Sequence, residues 1–215
     1  MTVNTTFRPE ELTEEKDIWD IFIKAIKIPQ KPYSKYALFA VCLGLVLFVV
    51  LTNASTEVIK NKVYDIASSG FNFTGSILGF LIAGFAISAT SNKELFMLMA
   101  TKFEPDTGLS YLKYTYGAFM VVFVWYTGFT LVCVLIKLFG FNGLFSMLLK
   151  PFPSITLVFT KIALVILGTW FFYLVLLLLS FIFNVYYILM STIRWEFEKN
   201  LHSKASKDNN KDSLQ

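Results

Sequence analysis

The sequence predicts an all-α integral membrane protein, a bundle of four transmembrane helices with an N-terminal cytoplasmic amphipathic helix, assembling as a homo-oligomer. Three observations carry that expectation. The chain is 55% apolar and only 16% charged, where a soluble domain carries about 25% charge. Its charge is segregated: residues 1–35 and 192–215 hold 21 of the 34 charged side chains, leaving 13 for the 156 residues between. That middle contains four apolar windows, about Ser34–Thr52, Phe71–Thr90, Tyr114–Phe139 and Ile155–Met190. Crossing roughly 30 Å of hydrocarbon takes about 20 helical residues, and each window supplies that length.

The elements follow in order. From Thr13 to Ile28 the apolar residues Ile18, Trp19, Phe22, Ala25 and Ile26 recur at steps of three and four, with Asp17, Asp20, Lys24 and Lys27 elsewhere around the helix. Acids in its first turn suit the positive helix end, and Pro29 stops it. Such a helix lies at the membrane surface, with Trp19, Phe22 and Ile26 as anchors, or packs on the ends of the bundle. No signal peptide is expected, because residues 1–20 hold six acids and no continuous apolar stretch. After the first window, Ile59, Val63 and Ile66 predict a short helix ended by Gly70. The loop from Gly140 to Ser154, broken by Gly143, Pro151 and Pro153, is expected to lie in the outer interface, with Lys150 reaching water. From Ile162 to Met190 the fourth window would run about 43 Å, so it must tilt or project. After Lys199 the polar sequence predicts disorder. The chain thus divides into a cytoplasmic N-terminal segment, residues 1–33, a four-helix transmembrane domain, 34–191, and a cytoplasmic polar tail, 192–215.

Basic residues accumulate on the cytoplasmic side of membrane proteins. Four spans would place fourteen Lys and Arg on the side of the two termini and five on the other. Both termini are therefore expected to be cytoplasmic, in a plasma membrane. A net charge of +4 spread over mixed tails is membrane-flank charge and no footprint for direct nucleic-acid binding.

The second window, Gly70 to Thr90, places Gly75, Gly79 and Ala83 on one stripe with Ser76, Gly84 and Ser88 beside it. Small residues let helix backbones approach closely where no hydrophobic force drives association. Gly75, Gly79, Ala83 and Gly84 are therefore candidates for helix packing within the protomer or for an oligomer seam. A pore is the rival reading, with Ser76, Ser88 and Thr90 around an axis. The segment from Ser91 to Gly108 sets Leu95, Phe96, Met97, Leu98, Met99 and Phe103 among charged residues, and methionine-rich surfaces adapt to partners. Phe96, Met97, Met99 and Phe103, with Arg194 and Trp195 at the inner end of the fourth window, are candidate contacts for a cytosolic protein. The structural alternative is that this segment packs on the third and fourth spans.

Catalysis finds no support. The single histidine, His202, lies in the tail, Cys42 and Cys133 lie in apolar runs, and no phosphate-binding loop occurs. No Asp, Glu, Arg or His falls within the four windows, while Lys137 and Lys161 sit near their outer ends. An ion-coupled transporter would need a buried ionisable group. The chain is read as no enzyme, with no cofactor and no metal.

The stretch Phe73-Thr-Gly-Ser-Ile-Leu-Gly-Phe-Leu-Ile-Ala-Gly-Phe-Ala, followed by Ser91-Asn-Lys-Glu-Leu-Phe, resembles the small membrane subunit of the Kiwa anti-phage defence system of bacteria. The architecture is similar over the whole chain: about two hundred residues, an amphipathic start, four spans and a cytosolic tail. The resemblance implies a homo-oligomer, a tetramer, in the bacterial inner membrane. It also implies a sensor of phage attack that engages a cytosolic DNA-binding subunit. It brings no catalytic residues.

Overall fold

The computed structural model describes residues 17–26, 32–52, 54–90, 93–104, 107–139 and 153–212. They are almost entirely helical: α1 Ile18–Ala25, α2 Pro32–Leu51, α3 Thr56–Ala89, α4 Lys93–Thr101, α5 Tyr111–Phe139 and α6 Pro153–Asp212. Helices α2, α3, α5 and α6 are long and apolar enough to cross a membrane, which makes this a multi-pass membrane protein. Proline stands at the first position of both α2 and α6, where its missing N–H is not needed and its fixed φ suits the helix.

Two expectations change. Helix α3 does not begin at the second apolar window but runs unbroken from Thr56, through the polar segment and through Gly70. Gly70 is no terminator: it is buried, and a Cβ there would meet Phe129 Cε1 at 2.7 Å. The glycine makes room for the Phe129 ring of α5. Nor is the tail irregular, since α6 continues to Asp212. Nucleation is the costly step of helix formation, and a polar segment without Pro or Gly can extend a helix already nucleated by the apolar span. The expected helix over Thr13–Ile28 is described only as α1, and the loop from Gly140 to Phe152, with Lys150, lies outside the described residues.

Helix α3 packs on α5 and α6, α5 packs on α6, and α2 lies at the edge against α6. The buried face of α3 carries Ile59, Val63, Ala67, Gly70, Thr74, Leu81, Gly84 and Ser88, a repeat of threes and fours that keeps one seam against its neighbours. Phe119, Tyr126 and Phe129 of α5 and Leu174 and Phe181 of α6 are fully buried against it. The Phe119 and Phe181 rings stand 4.9 Å apart, and Phe85 meets Tyr116, Phe119 and Phe123 edge-on. Helices in lipid are held by such close packing and by interhelical hydrogen bonds. Tyr126 Oη donates to the Leu174 carbonyl at 2.8 Å, tying α5 to α6. Thr130 Oγ1 lies 2.8 Å from both Thr74 Oγ1 and the Tyr126 carbonyl. Its single proton serves one at a time. Thr74 in turn donates to the Gly70 carbonyl at 2.8 Å.

Candidate functional site

Helix periodicity fixes which residues share a stripe, and the neighbours decide which stripe is used. The structure divides the small residues of α3 between two faces. Gly84 is buried, and a Cβ there would lie 2.9 Å from Phe181 Cζ, so this glycine admits α6. Gly75, Gly79 and Ala83 are exposed, and a Cβ at either glycine would meet nothing within 4 Å. Gly79 and Ala83 belong to a longer outward seam, Asn72, Ser76, Gly79, Ala83, Ala86 and Thr90, every member exposed, with Gly75 beside it. Its steps of four, three, four, three and four match the repeat by which one helix keeps a seam against another. All six side chains are small or polar. The seam continues a pattern visible in the sequence, but Asn72, Ala86 and Thr90 were not linked to it there.

Hydroxyl groups on α3 sort the same way. Ser76 donates to the Asn72 carbonyl at 3.0 Å and Thr90 to the Ile87 carbonyl at 3.0 Å, both exposed. Ser88 is buried and donates to the Gly84 carbonyl at 2.9 Å. Such back-bonding satisfies a hydroxyl inside an apolar environment. Ser88 therefore does not share the face of Ser76 and Thr90.

Just beyond the end of α3, α4 packs on α5, and Lys199 Nζ of α6 donates to Glu94 Oε1 of α4 at 2.6 Å. The Lys199 hydrogen bond and charge hold the Glu94 carboxyl below its ordinary pKa. Among the candidate partner contacts, Phe96 turns inward, its ring 6.2 Å from Tyr116. Met97 is 63% exposed, while Met99 is half-buried. Phe103 is half-buried and pairs across a short loop with Ser110. That loop turns at Gly108, whose φ of +67° favours glycine. Arg194 is exposed and holds Glu198 at 2.8 Å one turn on, and Trp195 is half-buried. The ion pair thus brings α4 beside residues 195–199 of α6, so the candidates share one end of the molecule.

Helix α6 also carries an apolar row that sequence reasoning did not single out. Leu179, Phe183, Tyr186, Met190, Ile193 and Phe197 are all 44% exposed or more and follow one another at steps of four, three, four, three and four. Inside the span nearly every position is apolar and the row is invisible. Beyond Met190, Ile193 and Phe197 stand among Arg194, Glu196 and Glu198, and there the signal was readable.

Of the expected surface anchors, Phe22 meets Trp125 of α5 edge-on at 6.4 Å and Ile26 is 51% exposed. The Trp19 side chain lies outside the described residues. Helix α1 packs along α5, with Ala25 buried between them. Among the described residues, no three His, Cys, Asp or Glu side chains come together in a way that could hold a metal ion. The chain matches no family model, no characterised protein and no solved structure.

Proposed function

We propose that this chain is a non-enzymatic membrane scaffold that assembles with copies of itself through the outward seam of α3. On this reading it presents α4 and the projecting end of α6 to a soluble protein. The observation that carries it is the emptiness around Gly75 and Gly79: small residues at heptad-like spacing face away from the protomer, with nothing within 4 Å of where either Cβ would stand. Lipid gains nothing from a groove of that kind, whereas a second helix can enter it. The apolar row on α6 supports the same assembly, since Ile193 and Phe197 keep the repeat among charged residues, where lipid tails no longer cover them.

The orientation that follows from the distribution of basic residues has both termini in the cytoplasm. The partner is then cytosolic, and Met97, Arg194 and Trp195, gathered at one end by the Glu94–Lys199 pair, are the surface offered to it. The resemblance to the Kiwa membrane subunit supports a place in an anti-phage complex of the inner membrane. There a tetramer would register attack and engage a DNA-binding effector subunit. Single cysteines at positions 72, 76, 79 and 83, with Cys42 and Cys133 replaced by alanine, test the seam in native membranes. Crosslinked dimers at these positions, with none at position 81 on the buried face, are expected; equal crosslinking at all positions would overturn the seam. Co-purification in mild detergent of a stoichiometric cytosolic protein, lost on Met97→Glu, tests the partner surface.

Because Ser76 and Thr90 share the outward face, copies arranged around an axis could also line a conduit with their hydroxyls. Conductance in planar bilayers, abolished by Gly79→Leu, would favour that reading over the scaffold.

A further inference from the structure

A cavity of about 340 Å³ opens between α1, α3 and α5, within the range of small-molecule sites. Its wall is apolar, formed by Ala25 of α1, Phe85 of α3, and Leu112, Gly117 and Met120 of α5. Two cations border it: Lys24 in the last turn of α1 and Lys113 in the first turn of α5, both half-buried. Lys113 lies 24 residues before Lys137, about 36 Å along α5, so the two lysines sit at opposite headgroup levels of the bilayer. The cavity therefore opens where phosphate and acyl chain meet.

We infer that this cavity is a binding site for an anionic phospholipid, with an acyl chain among the apolar residues and the phosphate held by Lys24 and Lys113. Basic pockets between transmembrane helices recognise anionic headgroups in this way. Each lysine also engages a group of the protein, and an ammonium with three donors can hold a phosphate oxygen besides. The lipid would join α1 to the bundle, since the cavity is closed on one side by Ala25 and bordered by Lys24 of the same short helix. The inference requires only that α5 crosses the membrane and is independent of self-assembly and of any soluble partner.

The test uses the full chain in non-ionic detergent, titrated with phosphatidylglycerol and, separately, phosphatidylcholine, with bound lipid counted by native mass spectrometry. Phosphatidylglycerol is expected to bind more tightly. Lys24→Gln with Lys113→Gln should weaken it about thirtyfold, about fivefold for each lysine, and leave phosphatidylcholine unchanged. Lys60→Gln with Lys62→Gln, in the N-terminal part of α3, should change neither. Ala25→Phe fills the cavity while keeping both charges, and should weaken both lipids. Equal affinity for the two lipids, or undiminished phosphatidylglycerol binding in the Lys24/Lys113 variant, would overturn the inference. So would displacement by inorganic phosphate at the same concentration, because the headgroup alone would then account for binding.

Discussion

Two glycines five residues apart on α3 should respond to substitution in opposite ways. At Gly84 an added Cβ would stand 2.9 Å from Phe181 Cζ and 3.0 Å from Cε1, where ordinary contact begins at 3.4 Å. The Phe181 ring must therefore retreat by about half an ångström, yet it is fully buried between Phe119 at 4.9 Å and Phe80 at 6.3 Å. Overpacking of this kind costs about 1–3 kcal/mol. Replacing glycine by alanine in a helix returns about 1 kcal/mol of backbone entropy and solvation. Gly84→Ala is thus expected to destabilise the protomer by about 0–2 kcal/mol, and Gly84→Leu by more. At Gly79 nothing lies within 4 Å of the added atom, so only the favourable part of that sum remains. Titration with SDS from dilute detergent, where copies separate, measures the protomer; native mass at higher concentration measures assembly. Gly84→Leu should unfold early, whereas Gly79→Leu should unfold no earlier than the parent and lose the oligomer. Equal destabilisation at both positions would refute the division of α3 into an inner and an outer face, and an intact Gly79→Leu oligomer would refute the seam.

Other outcomes follow from single contacts. Tyr126→Phe removes the 2.8 Å bond to the Leu174 carbonyl and should cost about 0.6 kcal/mol, and no more than about 1.7, in the same SDS titration, the average and the maximum for hydrogen bonds between membrane helices. Glu94 has its pKa lowered by Lys199, so the pair holds α4 to α6 at neutral pH. That hold is lost as pH falls below the ordinary value of 4.5 and through the lowered one. Amide protection in α4, after division by the intrinsic rate at each pH, should fall over that window, fall with salt at pH 7, and become independent of pH in Glu94→Gln. Phe197→Glu, on the exposed row of α6, should weaken assembly without moving the protomer's unfolding. A change confined to unfolding would place Phe197 inside the protomer instead.

Hydropathy made the four spans legible because each is an apolar run about as long as the hydrocarbon it must cross, or longer. It could not reveal that α3 starts at Thr56, since Lys60, Lys62 and Asp65 lower the local mean while leaving helical geometry untouched. Gly70 was misread for a related reason. Glycine ends helices and also admits neighbours, and only the Phe129 ring at 2.7 Å distinguishes the two uses. Periodicity grouped Gly75, Gly79 and Ala83 on one stripe, but the direction of that stripe depends on where α5 and α6 stand. Gly84, 100° around the helix from Ala83, ended on the other side. The link between Glu94 and Lys199 spans 105 residues, a distance at which opposite charges in a sequence carry no pairing information. The cavity between α1, α3 and α5 is assembled from three helices and had no local signature at all.

Helix α6 contains 60 residues, with no proline after its first position and Gly168 as its one glycine. Kinks in helices arise at proline, at glycine-serine pairs or at bulges, and none interrupts this one. Gly168 makes room for α2, with Leu45 Cδ1 at 2.9 Å from an added Cβ. From Gly168 to Asp212 the helix runs on without interruption for about 66 Å. A tilt of about ten degrees at Gly168, such as a change in bilayer thickness imposes on an overlong span, would swing the far end by about 11 Å. Disturbance of the lipid would reach the aqueous phase as displacement, without any bond being broken on the way.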